Sequence, residues 1–236
     1  MGAPGTARAR ARAALTSEIL EVARRQLATV GADQLSLRAV ARELEMVPSG
    51  LYRYYASRDD LLTALIIEAY NAVGDQAERA LSAIPEADHR GRWRAVCTSV
   101  REWAVAHPQE FALIYGSPVP GYRAPADTVA PSGRVYTLLL GIVGDSARAG
   151  RLTKPAREPS MPPTLVEDAV ALMATLGASD LAPADLLRAI TAWTQVLGAI
   201  SQELFGHLDV AFRNNGEYFE HAVDLMADVV GLASPS

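Results

Sequence analysis

Four side chains between residues 52 and 58 could together bind a phosphate-rich surface. Tyr52, Arg53 and Tyr54 are consecutive and offer two hydroxyl groups and a guanidinium, and Arg58 follows one helical turn later. Hydroxyl and guanidinium donors are common partners of phosphate oxygens in nucleic-acid complexes. The spacing therefore predicts a contact with nucleic acid, provided that helices hold these side chains on an exposed face.

The surrounding sequence predicts those helices. Ser36 precedes a run with apolar residues at helical spacing, and it can cap that helix by accepting a backbone N–H bond. Residues 45–47 interrupt the run, and Pro48 suits the first turn of a second helix. Ser57 and Asp60 have the spacing of a capping box for a third helix. Two short helices joined by such a turn form a helix-turn-helix, whose second helix enters the major groove of DNA.

The second helix of this motif begins with two small residues, Ser49 and Gly50, and extends to about Tyr54. Small side chains in its first turn would let the backbone approach the base edges. The alternative is an ordinary surface helix of an all-α protein, in which the Tyr and Arg residues have no special role.

The stretch from Leu35 to Leu62 resembles the DNA-binding segment of the TetR family of transcriptional regulators. The matching positions are Ser36-Leu37-Arg38, Ala41, Leu44, Pro48, Leu51-Tyr52, Tyr55, Ser57-Arg58 and Leu61. The resemblance implies, with Arg53 added by its spacing, that DNA is contacted by Ser36, Arg38, Pro48, Ser49, Gly50, Tyr52, Arg53, Tyr54 and Arg58. Two positions depart from the family pattern: Glu45 stands where Gly is usual in the turn, and Val47 stands where Ser or Thr is usual as the cap.

Charge is divided unevenly along the 236 residues, whose formal net charge is −5. Residues 1–58 contain nine arginines and five acidic residues, so the acidic excess lies in the remainder. A basic end on an acidic body predicts a protein that binds DNA through one face.

Composition predicts an all-α globular protein. Half of the residues are hydrophobic, and Ala and Leu are abundant. Cys97 is the one cysteine of the sequence, which excludes an intramolecular disulfide and a cysteine-based metal cluster. We find no apolar run of about 20 residues and no secretory signal, and we expect a cytoplasmic protein without a membrane segment.

Patterning divides the chain into three regions. Residues 1–14, in which arginines at positions 8, 10 and 12 alternate with alanine, are predicted to be a disordered basic arm. This arm either reaches the DNA backbone or minor groove or is merely a solvated tail. Residues 15–60 form the three-helix DNA-binding domain, and residues 61–236 form a helical domain for effector binding and dimerisation.

The last two predicted helices are the candidates for a dimer interface. The final helix has two apolar stripes, although a terminal helix needs only one for its own core. We expect a homodimer built on a four-helix bundle. The predicted interface residues are Leu197, Ile200, Leu204, Phe219, Val223, Met226 and Val230. The alternative is that the last helix is buried at the centre of a monomer.

The C-terminal part of the chain also resembles a TetR subfamily named for a Trp-His-Gly motif. The likeness rests on the segment FALIYGSPVPGYRAP, on Trp193 with Gly198, and on Phe205-Gly206, while Leu197 stands where the motif has His. The resemblance implies a ligand-binding region. Candidate pocket residues are Trp93, Trp103, His107, Phe111, Tyr115, Tyr136, Met173 and Trp193. We expect the Pro-rich loop 116–133 to cover the pocket and the effector to be apolar or aromatic.

These features together predict a regulator that requires no cofactor and is not an enzyme. The resemblance implies a repressor that binds a palindromic operator and is released by a small-molecule effector. The sequence lacks the phosphate-binding, zinc-protease and hydrolase motifs, and its four histidines have no metal-ligand spacing. A helical protein–protein adaptor without DNA binding and an unfamiliar all-α enzyme are the alternatives.

Overall fold

The computed structural model describes residues 4–178 and 180–233, and within these ranges it contains ten α-helices and no β-strand. The helices are α1 Pro4–Val30, α2 Leu37–Glu43, α3 Pro48–Leu51, α4 Arg58–Ser82, α5 His89–Ala106, α6 Pro108–Tyr115, α7 Val129–Arg148, α8 Pro163–Leu176, α9 Pro183–Leu204 and α10 Asn215–Val230. The predicted all-α class is confirmed. None of the helices described is both long and apolar enough to cross a bilayer.

The helices form two compact units. The first contains the chain up to Asn71 together with His107–Ser132, and the second contains Ala72–Ala106 together with the chain from Gly133. The helices α4 and α7 each contribute to both units. This division differs from the boundary after residue 60 that the sequence predicts, because α6 and the following loop pack with the first unit.

Two hydrogen bonds attach α6 and the following loop to the first unit. The hydroxyl of Tyr70 on α4 donates to the carbonyl of Ile114 on α6 at 3.0 Å. The hydroxyls of Thr63 and Tyr122 lie 2.9 Å apart. The loop after α6 is therefore held against α4, and Tyr122 packs on the apolar core of this unit.

The predicted disordered arm is wrong for residues 4–14, which form the beginning of α1, while residues 1–3 lie outside the described residues. Alanine and arginine are among the strongest helix formers, so their alternation extends the helix without any apolar periodicity. Thr16 lies inside this helix, where its hydroxyl donates to the carbonyl of Arg12 at 2.9 Å.

The second unit is built around α5, α9 and α10. The indole N–H of Trp93 on α5 donates to the carbonyl of Val223 on α10 at 3.3 Å. Arg101 makes a bidentate pair with Glu203 of α9, with N–O distances of 2.7 and 2.6 Å. The side chains of Trp193 and Ile200 on α9 are buried. The helix α5 thus fixes one face of both α9 and α10.

Candidate nucleic-acid interface

The turn of the helix-turn-helix has a glycine-type geometry without a glycine. The N–H of Met46 donates to the carbonyl of Ala41 at 2.8 Å, and the N–H of Glu45 donates to the carbonyl of Arg42 at 3.2 Å. This pair of hydrogen bonds is a Schellman motif, whose penultimate residue adopts the left-handed conformation. Glu45 has φ of 55°. The departure from the family pattern at this position therefore places a side chain where glycine is favoured.

Glu45→Gly is expected to raise the free energy of unfolding by about 0.5–1 kcal/mol, since removing Cβ relieves a left-handed penalty of roughly 1–2 kcal/mol and glycine's extra unfolded-state entropy offsets part of it. Urea denaturation monitored by circular dichroism measures the change. Glu45→Ala is the matched control, because it removes the carboxylate but keeps Cβ. An equal gain in both variants would mean that charge rather than backbone strain is responsible.

The recognition helix α3 is short and starts without a side-chain cap. Val47 occupies the N-cap position with its side chain 70% exposed, and Pro48 is the first helical residue, as predicted. The helix ends at Leu51 rather than near Tyr54, and residues 52–54 form a turn. Leu51 is fully buried and anchors the helix to the first unit's core.

Two capping predictions have different outcomes. Ser36 occupies the N-cap position of α2 with extended backbone, but its side chain makes no capping hydrogen bond, so that detail is wrong. The capping box at the start of α4 is confirmed. The N–H of Ser57 donates to the carboxylate of Asp60 at 3.0 Å, and the N–H of Asp60 donates to the hydroxyl of Ser57 at 3.1 Å.

The predicted DNA-contacting residues lie on the helix-turn-helix with different exposure. Five are exposed: Arg38, Pro48, Ser49, Tyr52 and Arg53. Four are partly buried: Ser36, Gly50, Tyr54 and Arg58. The exposed fraction of Tyr52 is 44%, so this apolar ring faces solvent rather than the core. Their contact with DNA stays a prediction, but the exposed side chains have the freedom that it requires.

Arg58 has a structural contact that sequence reasoning did not anticipate. Its guanidinium donates to the carbonyl of Ala32 at 2.6 Å and lies 3.5 Å from the carboxylate of Asp59. A guanidinium committed to a backbone carbonyl in this way positions the start of α4 against the segment that follows α1. We therefore expect Arg58 to act mainly as a positioning residue of the helix-turn-helix.

Arg58→Ala is expected to destabilise the protein by about 1 kcal/mol, because it removes a partly exposed, charge-assisted hydrogen bond. It should weaken DNA binding without changing the slope of log affinity against log salt concentration. Arg53→Ala should instead leave stability unchanged and reduce the magnitude of that negative slope by about 0.9, the value of one phosphate contact. Fluorescence anisotropy at several salt concentrations separates the two. A slope change with Arg58→Ala would show that Arg58 binds phosphate directly.

The helical start of α1 adds basic residues beside α3. A cleft of ≈ 450 Å³ lies between these helices and is lined by Arg8, Arg12 and Arg53. The guanidinium carbon of Arg12 lies 5.4 Å from the ring centroid of Tyr54, a cation–π contact. The four-residue spacing of Arg8 and Arg12 could have revealed this shared face, had residues 4–14 been read as helix.

The predicted pocket residues are divided between the two compact units. His107, Phe111 and Tyr115 belong to the first unit, whereas the other five belong to the second. Trp93, Trp103, Phe111, Met173 and Trp193 are buried in the cores, Tyr115 and Tyr136 are partly buried, and His107 is exposed. The five buried side chains pack in the interior of their units, and a role for any of these residues in ligand binding stays a prediction.

A groove of ≈ 400 Å³ instead lies in the first unit, beside the loop that follows α6. We call it the loop groove; its lining includes Ile66 and Tyr70 of α4, Leu113 of α6, and Val119 and Tyr122 of the loop. No charged side chain of the described residues lines it. The expectation that the loop covers a ligand pocket stays a prediction.

Four of the seven predicted dimer-interface residues are buried within the single chain. Phe219, Val223 and Val230 are buried within the single chain, as is Ile200 of α9, so they have no surface left for a partner. Leu197, Leu204 and Met226 are partly buried. The exposed stripe of α10 is the other one, in which Leu225 is 50% exposed and Val229 is 38% exposed. Contacts from α5 decide which stripe turns inward.

Fold and surface together define a class of protein. A short helix-turn-helix with exposed basic and tyrosine side chains is joined, in one all-α chain, to a second helical unit. This arrangement is that of a DNA-binding transcriptional regulator of the helix-turn-helix type.

Comparison with known proteins identifies the family. Residues 19–65 match the family model of bacterial regulatory proteins of the tetR family, and residues 93–226 match that of the tetracyclin repressor-like C-terminal domain. The HTH-type transcriptional regulators Rv1816 of Mycobacterium tuberculosis and Mb1846 of Mycobacterium bovis are each 39% identical over 201 residues, which is 83% of this chain and 83% of theirs. The chain belongs to the TetR family of transcriptional regulators.

Solved structures agree. The crystal structure of the regulatory protein SCO4313 is 31% identical, covers 93% of this chain and 98% of its own, and has a TM-score of 0.71. A tetR family regulator from Shewanella sp. PV-4, with 16% identity and a TM-score of 0.60 over 90% of this chain and 95% of its own, shows the fold alone. The likeness to the Trp-His-Gly subfamily stays a prediction.

Proposed function

We propose that this regulator is a homodimeric cytoplasmic repressor that occupies a palindromic operator and leaves it when a small molecule binds. The observation that carries the proposal is the exposed face of Arg38, Tyr52 and Arg53, which the buried Leu37 and Leu51 hold in place. In a two-fold dimer, two such faces would contact successive major grooves about 34–36 Å apart. An operator with two inverted half-sites is the expected consequence.

Footprinting on the DNA upstream of the protein's own gene tests the operator proposal. We expect one protected region with two inverted half-sites, and an affinity that falls linearly with salt on a log–log scale. Transcription from that promoter in vitro should fall when protein is added. Protection without a drop in transcription would rule out repression while preserving DNA binding.

We infer that the effector binds in the loop groove. Support comes from its neutral, largely apolar lining, which favours an uncharged apolar or aromatic molecule. The groove is also connected to the helix-turn-helix within the first unit. Tyr122 bonds Thr63 near the start of α4, and Arg58 in the first turn of α4 bonds Ala32. A ligand that displaces Tyr122 would shift this turn, and coupling of about 1–3 kcal/mol would weaken DNA binding about 5–150-fold.

The neutral dye N-phenyl-1-naphthylamine can test the groove before the natural effector is identified. We expect saturable fluorescence enhancement with the native protein and its loss in Val119→Trp, which fills the groove. Val129→Trp is the matched control, because Val129 is 67% exposed, belongs to the same unit and does not line the groove. Equal dye binding by both variants would exclude the loop groove as the site.

The proposed dimer uses the exposed stripe of α10. Leu225 and Val229 leave apolar surface uncovered on a helix whose opposite side is already packed against α5 and α9. Two copies of a helix pair can bury such stripes against each other as a four-helix bundle.

A further inference from the structure

The second unit contains a cavity that the proposed regulation does not use. It has a volume of ≈ 410 Å³ and lies where the turn before α5, the end of α7 and the segment after α10 meet. We call it the α5–α7 cavity. The segments around it are fastened together: Arg151 donates to the carbonyl of Ala87 at 3.1 Å, and the N–H of Thr153 donates to the carbonyl of Gly231 at 2.8 Å. Its volume lies in the range of small-molecule sites.

A buried hydroxyl without a partner points to a ligand in this cavity. Ser146 of α7 lines the cavity and is 1% exposed. Its Oγ has no hydrogen-bond partner in the part of the chain that the structure describes. An unsatisfied buried hydroxyl costs about 1–3 kcal/mol, and a bound water or a polar group of a ligand would satisfy it.

The charges around the cavity favour an anion. Arg151 is exposed, bonds the carbonyl of Ala87, and has no carboxylate at ion-pair distance among the described residues. Burial, followed by the charges of Arg151 and Arg92, lowers the pKa of His89, and these effects outweigh Asp145 and Asp88, which raise it. The two arginines thus act on the imidazole more strongly than the two carboxylates do, and the neutral ring can still donate a hydrogen bond.

The nearby carboxylates are already engaged. Asp88 accepts a hydrogen bond from the N–H of Gly91 at 2.8 Å and caps α5. Asp145 accepts from Arg92 at 2.7 Å and also pairs with Arg148. Asp88 lines the cavity and keeps its charge, but one of its oxygens is held by the cap of α5, whereas Arg151 is the cation that lines the cavity.

We propose that the α5–α7 cavity binds a small organic carboxylate. Arg151 pairs with the carboxylate, and the hydroxyl of Ser146 donates a hydrogen bond to it. The apolar part of the ligand lies against Pro85 and Ala233, which also line the cavity. This site is separate from the loop groove, and it does not depend on whether the protein represses transcription.

Benzoate and its uncharged analogue benzamide are suitable probes for the full-length protein. At constant ionic strength, benzoate should bind saturably in isothermal titration calorimetry and raise the melting temperature, because a ligand that binds the folded state stabilises it. Benzamide should do neither. No saturable binding of benzoate, or equal effects of the two compounds, would overturn the proposal.

Three variants locate the site. Arg151→Gln should weaken benzoate binding about tenfold, because it removes the charge while retaining a donor for the Ala87 carbonyl. Ser146→Ala should also weaken binding, yet leave the free protein equally stable or more stable, because it removes an unsatisfied hydroxyl. Arg148→Gln is the control, since Arg148 pairs with Asp145 and Asp180 and does not line the α5–α7 cavity.

The outcomes distinguish binding in the α5–α7 cavity from non-specific attraction of benzoate to positive charge. Equal losses of affinity in Arg148→Gln and Arg151→Gln would attribute the binding to net charge and contradict the proposal. A Ser146→Ala variant that binds benzoate as well as the native protein would also contradict it. None of these measurements involves DNA, so their failure leaves the proposed function untouched.

Discussion

Leu225→Asp is expected to convert the proposed dimer into monomers and to reduce operator affinity by about 10²–10⁴-fold, the gain that linking two binding modules ordinarily provides. Leu225 belongs to the exposed stripe of α10, and its side chain is 50% exposed in the single chain. Two-fold symmetry would introduce the carboxylate twice into one apolar contact, where an unpaired charge is strongly unfavourable.

The matched control for that variant is Val105→Asp. Val105 is an apolar residue of α5 with an exposed fraction of 49%, and the substitution introduces the same charge into the same unit. Light scattering after size exclusion at micromolar concentration should report one chain for Leu225→Asp and two for both Val105→Asp and the native protein. A native protein that elutes as a clean monomer would end the dimer proposal.

Phe219→Asp offers a further comparison on the same helix. Phe219 is 2% exposed within the chain, so a carboxylate there should unfold the second unit rather than separate folded chains. Leu225→Asp should instead retain its helical circular dichroism signal. The two stripes of α10 are thereby distinguished by experiment.

Tyr52→Ala is expected to weaken operator binding about 10–100-fold, comparable with the loss of a good base or phosphate contact of about 1–3 kcal/mol. Its ring is 44% exposed at the end of α3, and the substitution removes little packing from the core. The free energy of unfolding should therefore change by less than about 0.5 kcal/mol, as for an ordinary surface substitution. Fluorescence anisotropy with an operator duplex and urea denaturation measure the two quantities.

Two controls assign the effect of Tyr52. Tyr52→Phe removes the hydroxyl alone, so a loss equal to that of Tyr52→Ala would show that a hydrogen bond is responsible. Arg123→Ala removes an exposed charge from the first unit outside the helix-turn-helix and should change affinity only slightly. If Tyr52→Ala bound the operator as tightly as the native protein, the exposed face of α3 would not be the contact surface.

Features that depend on neighbouring residues could be predicted from the sequence. Pro48 begins α3, and Ser57 and Asp60 form their capping box. Both features could be predicted because they depend only on residues within four positions of each other. The all-α class and the helix-turn-helix followed from the same local signals. The glycine-type turn at Glu45 could also be anticipated, because the family pattern has glycine there.

Which side chains are buried, and which are bonded within the chain, could be decided only from the tertiary structure. Both stripes of α10 are apolar in the sequence, and the contact of Trp93 with Val223, 130 residues apart, identifies the inward one. From the sequence alone, Arg58 is as good a candidate for a phosphate contact as Arg53. In the folded chain, the guanidinium of Arg58 donates to the carbonyl of Ala32, which is 26 residues away.

Taken alone, the sequence determined where helices begin at capping residues or proline, and where basic and tyrosine side chains cluster. Only the folded chain decided which side of each helix is buried, which arginines are committed to the protein, and where cavities remain. The physical reason is the range of the interactions: capping and propensity act within about one helical turn, whereas burial depends on partners that are distant in the chain.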